Sequence, residues 1–371
     1  VLRKFSVSNF KCFEKWTTFD LSDPANYVFN QQVIHEGTKT KGIVYGANGS
    51  GKSNLALAIF DIILHLTDKE KLLARYSPYL CLDSKNLMAE FEYEFRFNGT
   101  EVVYRYGKTD PLTLVYERLS IGGEEVLGYN FASRTGFVSL AGTESLALSS
   151  ELPAETDRLS RVKYVRSNAI LQESDATRAF IAFMNFVDNM LMFYSLDQRG
   201  YQGLSVGPDS FTQGIIREGK LEDFQRFLEK QGISYDLVSV DVNGLPELYC
   251  RFENSSVPFM SVASTGTTSL ALYYYWYIRM GKASLVFIDE FDAFYHFELA
   301  RAIVEMLRDL EGVQVFMTTH NTDLLSNDLL RPDAYFILQD GKIQSLEKLT
   351  NKELRAAHNL QKMFKAGSFN E

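Results

Sequence analysis

Apolar and polar residues alternate through the centre of residues 2–10, with Phe5 and Val7 on one side, and a second strand-like stretch follows at 16–21. The alternation is the period of a half-buried strand. Gly42-Ile43-Val44-Tyr45 is instead a continuous apolar run, as in a strand covered on both faces. Residues 54–60 take up the helical period, predicting a helix that runs to about Leu73 and carries His65 as a packed residue. Alternation returns at 87–97, 102–106, 112–121 and 126–127, punctuated by Asn98-Gly99 and Gly122-Gly123, which predicts an antiparallel meander with tight hairpins. From Gly128 to Ala154 the pattern fades into Gly, Ser, Thr and Ala, predicting irregular or exposed chain. Residues 161–166 read as a short strand, and 176–193 as a helix with Phe180, Phe183, Met184, Phe186, Val187 and Met190 on its broad apolar face. An amphipathic helix at 221–230 and strands at 237–242 and 248–252 around Asn243-Gly244 complete the middle of the chain.

The last third alternates long apolar elements. A helix at 270–280 precedes the apolar run 284–290, and an amphipathic helix at 297–310 precedes a second run at 313–320. That spacing suits parallel strands joined by a crossover helix. A hairpin around Asp340-Gly341 joins 334–338 to 342–346, and residues 352–366 predict a charged helix. The chain therefore divides into 1–127, an insertion of mixed α/β character at 128–252, and 253–371, with the two ends forming one core.

Composition narrows the class. With 371 residues, 46% of them hydrophobic, the chain can fill a large core. A net charge of −9 argues against a surface that coats nucleic acid broadly. Cys12, Cys81 and Cys250 form neither a metal-ligand spacing nor a disulfide framework, which suits a reducing compartment. The first residues are not an apolar signal region, and no window approaches the ~18 apolar residues of a membrane span. The expectation is a cytoplasmic protein without a membrane partner.

The chemistry begins at Gly46-Ala47-Asn48-Gly49-Ser50-Gly51-Lys52-Ser53-Asn54, between the apolar run and the helical period. A strand, a glycine-rich loop and a helix in that order make a phosphate-binding P-loop. Its backbone N–H groups and the helix N-terminus cradle phosphates. Lys52 would reach the β- and γ-phosphates, and the Ser53 hydroxyl would ligate Mg²⁺. The run 284–290 ends in Asp289-Glu290, where Asp289 suits a Mg²⁺ ligand and Glu290 a general base for the attacking water. His320 closes the next apolar run, in place to meet the γ-phosphate or that water. Ser264-Thr265-Gly266-Thr267 opens the apolar helix; alone it reads equally well as an anion site or an ordinary N-cap.

This order of motifs resembles the ABC-type ATPases of the SMC, RecF and OLD branch, and within it the compact prokaryotic AAA15-type ATPases, some of which serve abortive-infection and other anti-phage systems. Asn9-Phe10-Lys11-Cys12-Phe13 is similar to that branch's opening element, and Thr318-Thr319-His320-Asn321 to its switch-histidine element. The resemblance implies an α/β P-loop NTPase of the ABC-ATPase head type, with a parallel nucleotide-binding sheet, an antiparallel β-subdomain and a mixed, largely helical insertion. It further implies that Gly46–Ser53 is Walker A, Asp289 Walker B, Glu290 the catalytic acid, Asp292 the start of the D-loop and His320 the switch histidine. Ser264–Thr267 would be a divergent signature motif that lacks the usual second glycine. Two copies would sandwich ATP and Mg²⁺, as a homodimer or a higher oligomer. The output would pass to a separately encoded effector protein, such as a nuclease, with DNA or another phage-derived molecule as trigger. Two other readings fit the same motifs: a RecF-like DNA-repair or recombination ATPase that binds DNA, and a slow-turnover nucleotide sensor that scaffolds an assembly.

Overall fold

The computed structural model describes residues 1–69, 73–144, 146, 148, 159–194, 201–203, 210–293 and 295–369. Two seven-stranded sheets organise them. The first is antiparallel, in the order Thr135–Val138, Glu124–Asn130, Thr113–Ile121, Thr100–Asp110, Ala89–Phe97, Leu2–Ser8, Thr17–Asp20. Its predicted hairpins are present: Asn98-Gly99 and Gly122-Gly123 hold positive φ at both turn positions, the backbone that matches the twist of paired strands.

The second sheet runs Tyr201–Gly203, Met190–Tyr194, Leu285–Asp289, Gln314–Thr319, Lys41–Tyr45, Tyr335–Gln339, Lys342–Ser345. Its five inner strands are parallel, and the two outer ones pair antiparallel to their neighbours. The sheet separates two cores. Val44, Met190, Met192, Leu285, Phe287, Phe316 and Phe336 face the helix Lys52–Phe60 and the antiparallel sheet. Ile43, Tyr45, Leu191, Val286, Ile288, Val315 and Met317 face the helices Thr265–Met280 and Phe297–Arg308. Burial on both faces is why these strands are apolar throughout rather than alternating.

Several elements depart from the sequence pattern, each for a tertiary reason. The helix after the glycine loop stops at Phe60, and a separate turn, Ile63–Leu66, follows. Tyr93 Oη donates to the carbonyls of Ala58 at 3.0 Å and Ile59 at 3.2 Å. Residues 70–72, in the expected continuation of that helix, lie outside the described residues. The strand expected at 161–166 is the helix Arg161–Asn168, capped by Ser160 and burying Val162 and Val165 one turn apart. The helix expected to reach 193 ends at Asp188, and Met190–Tyr194 crosses into the parallel sheet beside Leu285–Asp289. The stretch 128–154, expected to be irregular, contributes the end of Glu124–Asn130 and the edge strand Thr135–Val138; residues 145, 147 and 149–154 lie outside the described residues. The charged tail is helical only over Leu360–Lys365.

Residues 128–252 thus supply strands to both large sheets. What stands apart is a lobe of the helices Phe211–Arg217 and Leu221–Lys230 with the three strands Leu237–Val242, Leu245–Phe252 and Ser255–Pro258. It packs on Thr265–Met280 through Phe224 and Phe227 against Tyr274, with ring centroids 5.1 and 5.2 Å apart. Among the described residues no helix is long and apolar enough to cross a membrane.

Candidate nucleotide site

The C-terminal ends of the parallel strands form one edge. Thr319 lies opposite Tyr45, and Ile337 lies opposite Tyr45 on its other side. Tyr194 lies opposite Asp289, and Ile288 opposite Met317. With strands about 4.8 Å apart, loops that follow Tyr45 and Thr319, 274 positions apart in sequence, start on adjacent strands. Open α/β sheets bind ligands at this edge.

The glycine loop leaves the buried strand Lys41–Tyr45 and enters Lys52–Phe60. Ala47, Asn48, Gly49 and Ser53 are exposed, while Lys52 is buried. Gly51 holds φ +103° at the helix N-cap, and a Cβ there would lie 2.6 Å from Cys12 Sγ. A Cβ on Gly46 would lie 2.4 Å from Ser50 Oγ and 2.7 Å from the Leu338 carbonyl, so the loop closes only around glycine. Lys52 Nζ donates to the carbonyls of Gly46 at 2.7 Å and Ala47 at 3.1 Å, which holds the ammonium over the loop. Ser50 Oγ is buried without a partner. Asn54 Nδ2 donates to Cys12 Sγ at 3.2 Å, tying the opening element to the loop.

Asp289 ends its strand 8% exposed, on the same face as Leu285 and Phe287 and therefore on the side of the Lys52–Phe60 helix. Glu290 has φ +44°, a left-handed backbone that a glutamate rarely adopts and that clusters at functional sites. The hydroxyl of Thr318, on the neighbouring strand, accepts from Glu290 N–H at 2.7 Å and donates to Asp289 Oδ1 at 2.6 Å. Asp292 is half-buried in the turn beyond, where its carbonyl accepts from Tyr295 N–H at 3.1 Å. His320 is exposed just past Thr319. Its loop is anchored by Asn321 N–H to Thr319 Oγ1 at 2.9 Å and by Asp323, which accepts from Gln361 and from Lys365 at 3.2 Å.

Ser264, Thr265, Gly266 and Thr267 belong to the other face of the sheet. Ser264 caps Thr265–Met280, accepting from Thr267 N–H at 3.2 Å, while Ser264 and Thr265 are exposed. Tyr295, three residues after Asp292, donates to the carbonyl of Ser269 in the first turns of that helix at 3.3 Å. The edge thus gathers Gly46–Asn54, Asp289, Glu290 and His320, and the capped helix meets it through the turn after Asp292.

Three residues at this edge have no role of their own in the motif reading. Thr318 is one; its place in Thr318-Thr319-His320 was its only signal. Cys12 is another, set against Gly51 and Asn54. The third is Arg75, whose guanidinium sits 4.0 Å from the centroid of Tyr194, the strand neighbour of Asp289.

The donor chemistry suits a triphosphate with Mg²⁺. Glycines 46 and 51 leave a cradle that side chains would fill, and Ser53 and Asp289 offer hard oxygen donors. Among the described residues no group of three or more His, Cys, Asp or Glu could hold a metal. Mg²⁺ needs no such cage, since it binds through one or two protein oxygens together with substrate phosphates.

Residues 43–196 and 253–326 match the family described as "AAA domain, putative AbiEii toxin, Type IV TA system". No curated protein matches. Solved structures similar to the chain include the SMC head domain from Thermotoga maritima, at 16% identity and TM-score 0.43, covering 92% of this chain and 97% of that one. An Smc head bound to the C-terminal winged-helix domain of ScpA aligns at 16% identity and TM-score 0.49, covering 94% and 99%. An Smc head with an extended coiled coil bound to the C-terminal domain of ScpA, derived from Pyrococcus furiosus, aligns at 14% identity and TM-score 0.45, covering 94% and 97%.

Proposed function

We propose a function on the premise that the chain belongs to this AAA-domain family: a cytoplasmic, Mg²⁺-dependent ATPase whose nucleotide state controls its pairing with a second copy. The observation that carries the reading is the meeting of the glycine loop, Asp289-Glu290 and His320 at one sheet edge, although they lie far apart in the chain. Lys52 would exchange the carbonyls of Gly46 and Ala47 for phosphate oxygens. Ser53 and Asp289 would hold Mg²⁺, which when bound neutralises charge on the phosphates. Glu290 would orient and deprotonate the attacking water, with His320 above the γ-phosphate. The exposed Ser264 and Thr265, with the half-buried Gly266, would face the nucleotide of the second copy, with N–H groups of a helix start as anion donors. Asp292 would lie between these two halves of the site.

We further propose that the closed pair switches a separately encoded effector in anti-phage defence. A family described through toxin–antitoxin systems supports a two-component arrangement. The outer face of the antiparallel sheet favours this reading over direct DNA binding there. Three of its cations stand beside acids, Lys4 with Glu94 at 3.3 Å, Arg105 with Glu92, and Arg118 with Glu125 at 4.0 Å, which lowers its pull on phosphates.

The test is ATP turnover with light scattering, with and without nucleotide. Glu290→Gln should bind ATP, pair, and turn over about 100-fold or more slowly. Lys52→Ala should lose ATP binding and pairing together. Wild-type turnover in both variants would remove the assigned site, and salt-sensitive, ATP-dependent DNA binding would favour the repair reading.

A further inference from the structure

Thr318 lies on the strand between the one that carries Asp289 and the one that feeds the glycine loop. It is fully buried. A threonine hydroxyl has one proton and two lone pairs, and here the proton goes to Asp289 Oδ1 while a lone pair takes Glu290 N–H. Two consequences follow. The bond to Oδ1 at 2.6 Å fixes the orientation of the Asp289 carboxylate and leaves Oδ2 free of that bond to offer a cation. The left-handed backbone of Glu290, unfavourable for a non-glycine residue, is held by a hydrogen bond from outside its own strand.

From this geometry we infer that Thr318 is a positioning residue for both acids: one hydroxyl sets the metal-facing oxygen of Asp289 and the direction of Glu290. Its backbone joins the arrangement, since the Thr318 carbonyl accepts from Phe291 N–H at 3.2 Å. His320 is two residues further along the same chain. A displacement of the histidine loop therefore reaches Asp289 and Glu290 through Thr318, without passing through the nucleotide. The inference rests on the ATPase reading for its catalytic consequence, whereas the hydrogen bonds it invokes belong to the protein alone.

The experiment compares the chain with Thr318→Val, which keeps the shape and removes the hydroxyl, and Thr318→Ser, which keeps the hydroxyl. Three readouts separate positioning from general damage. Hydrogen–deuterium exchange without nucleotide should rise in Thr318→Val at the Glu290 and Phe291 amides and remain at the wild-type level in the Lys52–Phe60 helix. Fluorescent ATP-analogue affinity in EDTA should stay within about 3-fold of wild type, while half-saturating Mg²⁺ rises and kcat falls by about 10–100-fold, the range for groups that orient metal ligands. Thr318→Ser should recover the wild-type values. Thr318→Val with wild-type exchange, Mg²⁺ response and kcat would overturn the inference, as would loss of Mg²⁺-free nucleotide binding or failure of serine to rescue. Absent turnover in the wild type would count against the ATPase reading, and the exchange and Mg²⁺ arms would still decide the role of Thr318.

Discussion

Replacing Lys108 with methionine tests how the antiparallel sheet holds the end of the nucleotide helix. Asp61 follows Phe60 directly, and its carboxylate is fully buried, as is the Lys108 ammonium 2.7 Å away. The same carboxylate accepts from Tyr106 Oη and Tyr79 Oη, each at 2.9 Å. Removing one member of a buried ion pair costs about 3–5 kcal/mol, because the other charge stays desolvated. The two tyrosine donors remain, and hydrogen bonds to a charged group are worth about 1.5–3 kcal/mol each, so the lower end of that range applies. A loss of about 3 kcal/mol is large against a typical total of about 5–15 kcal/mol. Equilibrium urea unfolding should show a lower midpoint with an unchanged slope, by circular dichroism and tyrosine fluorescence alike. The Asp61→Asn/Lys108→Met double variant should be less destabilised than the two single losses added together, by about 1–3 kcal/mol. A Lys108→Met protein within 1 kcal/mol of wild type, or single effects that simply add, would refute the reasoning.

Gly46→Ala should weaken nucleotide binding by about 10-fold or more with little change in the unfolding midpoint. Its Cβ would meet the Leu338 carbonyl at 2.7 Å, a backbone atom that cannot swing aside, so the exposed loop must move. Titration with a fluorescent nucleotide checks this, and unchanged affinity would show that the loop tolerates the shift. Lys41, at the start of the same strand, is held by burial at a pKa of about 8, against the opposing influence of Asp309. Between pH 8 and 10.5 the unfolded chain carries a proton that the folded one lacks, so this group makes stability rise with pH. Lys41→Met should lack that rise, and the stability difference, wild type minus variant, should grow across the window. Parallel pH–stability curves would contradict it.

Much of the fold was legible because the strongest signals were local. The Asn-Gly and Gly-Gly turns were set by backbone conformations that few other residues adopt, and they appear where their residues predicted them. The apolar runs at 42–45 and 284–289 carried the double burial of parallel strands. What failed depended on partners remote in sequence. Val162 and Val165 suit a strand or a helical turn alike, and the choice falls to Ser160 and to Glu117, which takes Arg161 N–H. Met190 extends the apolar face of the preceding helix, yet it begins a strand because Leu285–Asp289 offers an unpaired parallel edge.

The candidate site divides in the same way. Lys52, Ser53, Asp289, Glu290 and His320 could be proposed from the sequence because phosphate and metal chemistry restricts residue type at each position. Thr318 carried no such restriction: threonine in a buried strand is most simply read as a β-branched filler. Its meaning arises only when the sheet order puts its strand beside Asp289, since the order of strands is a property of the fold and not of any one segment. Arg75 and Cys12 show the same dependence, one through the ring of Tyr194 and the other through Gly51. The motif residues point to the chemistry proposed for the edge, and the residues that orient them emerge only from the pairing of strands. A change at Thr318 should therefore alter the response to Mg²⁺ and the rate before it alters nucleotide affinity, whereas a change at Lys52 should reach affinity first.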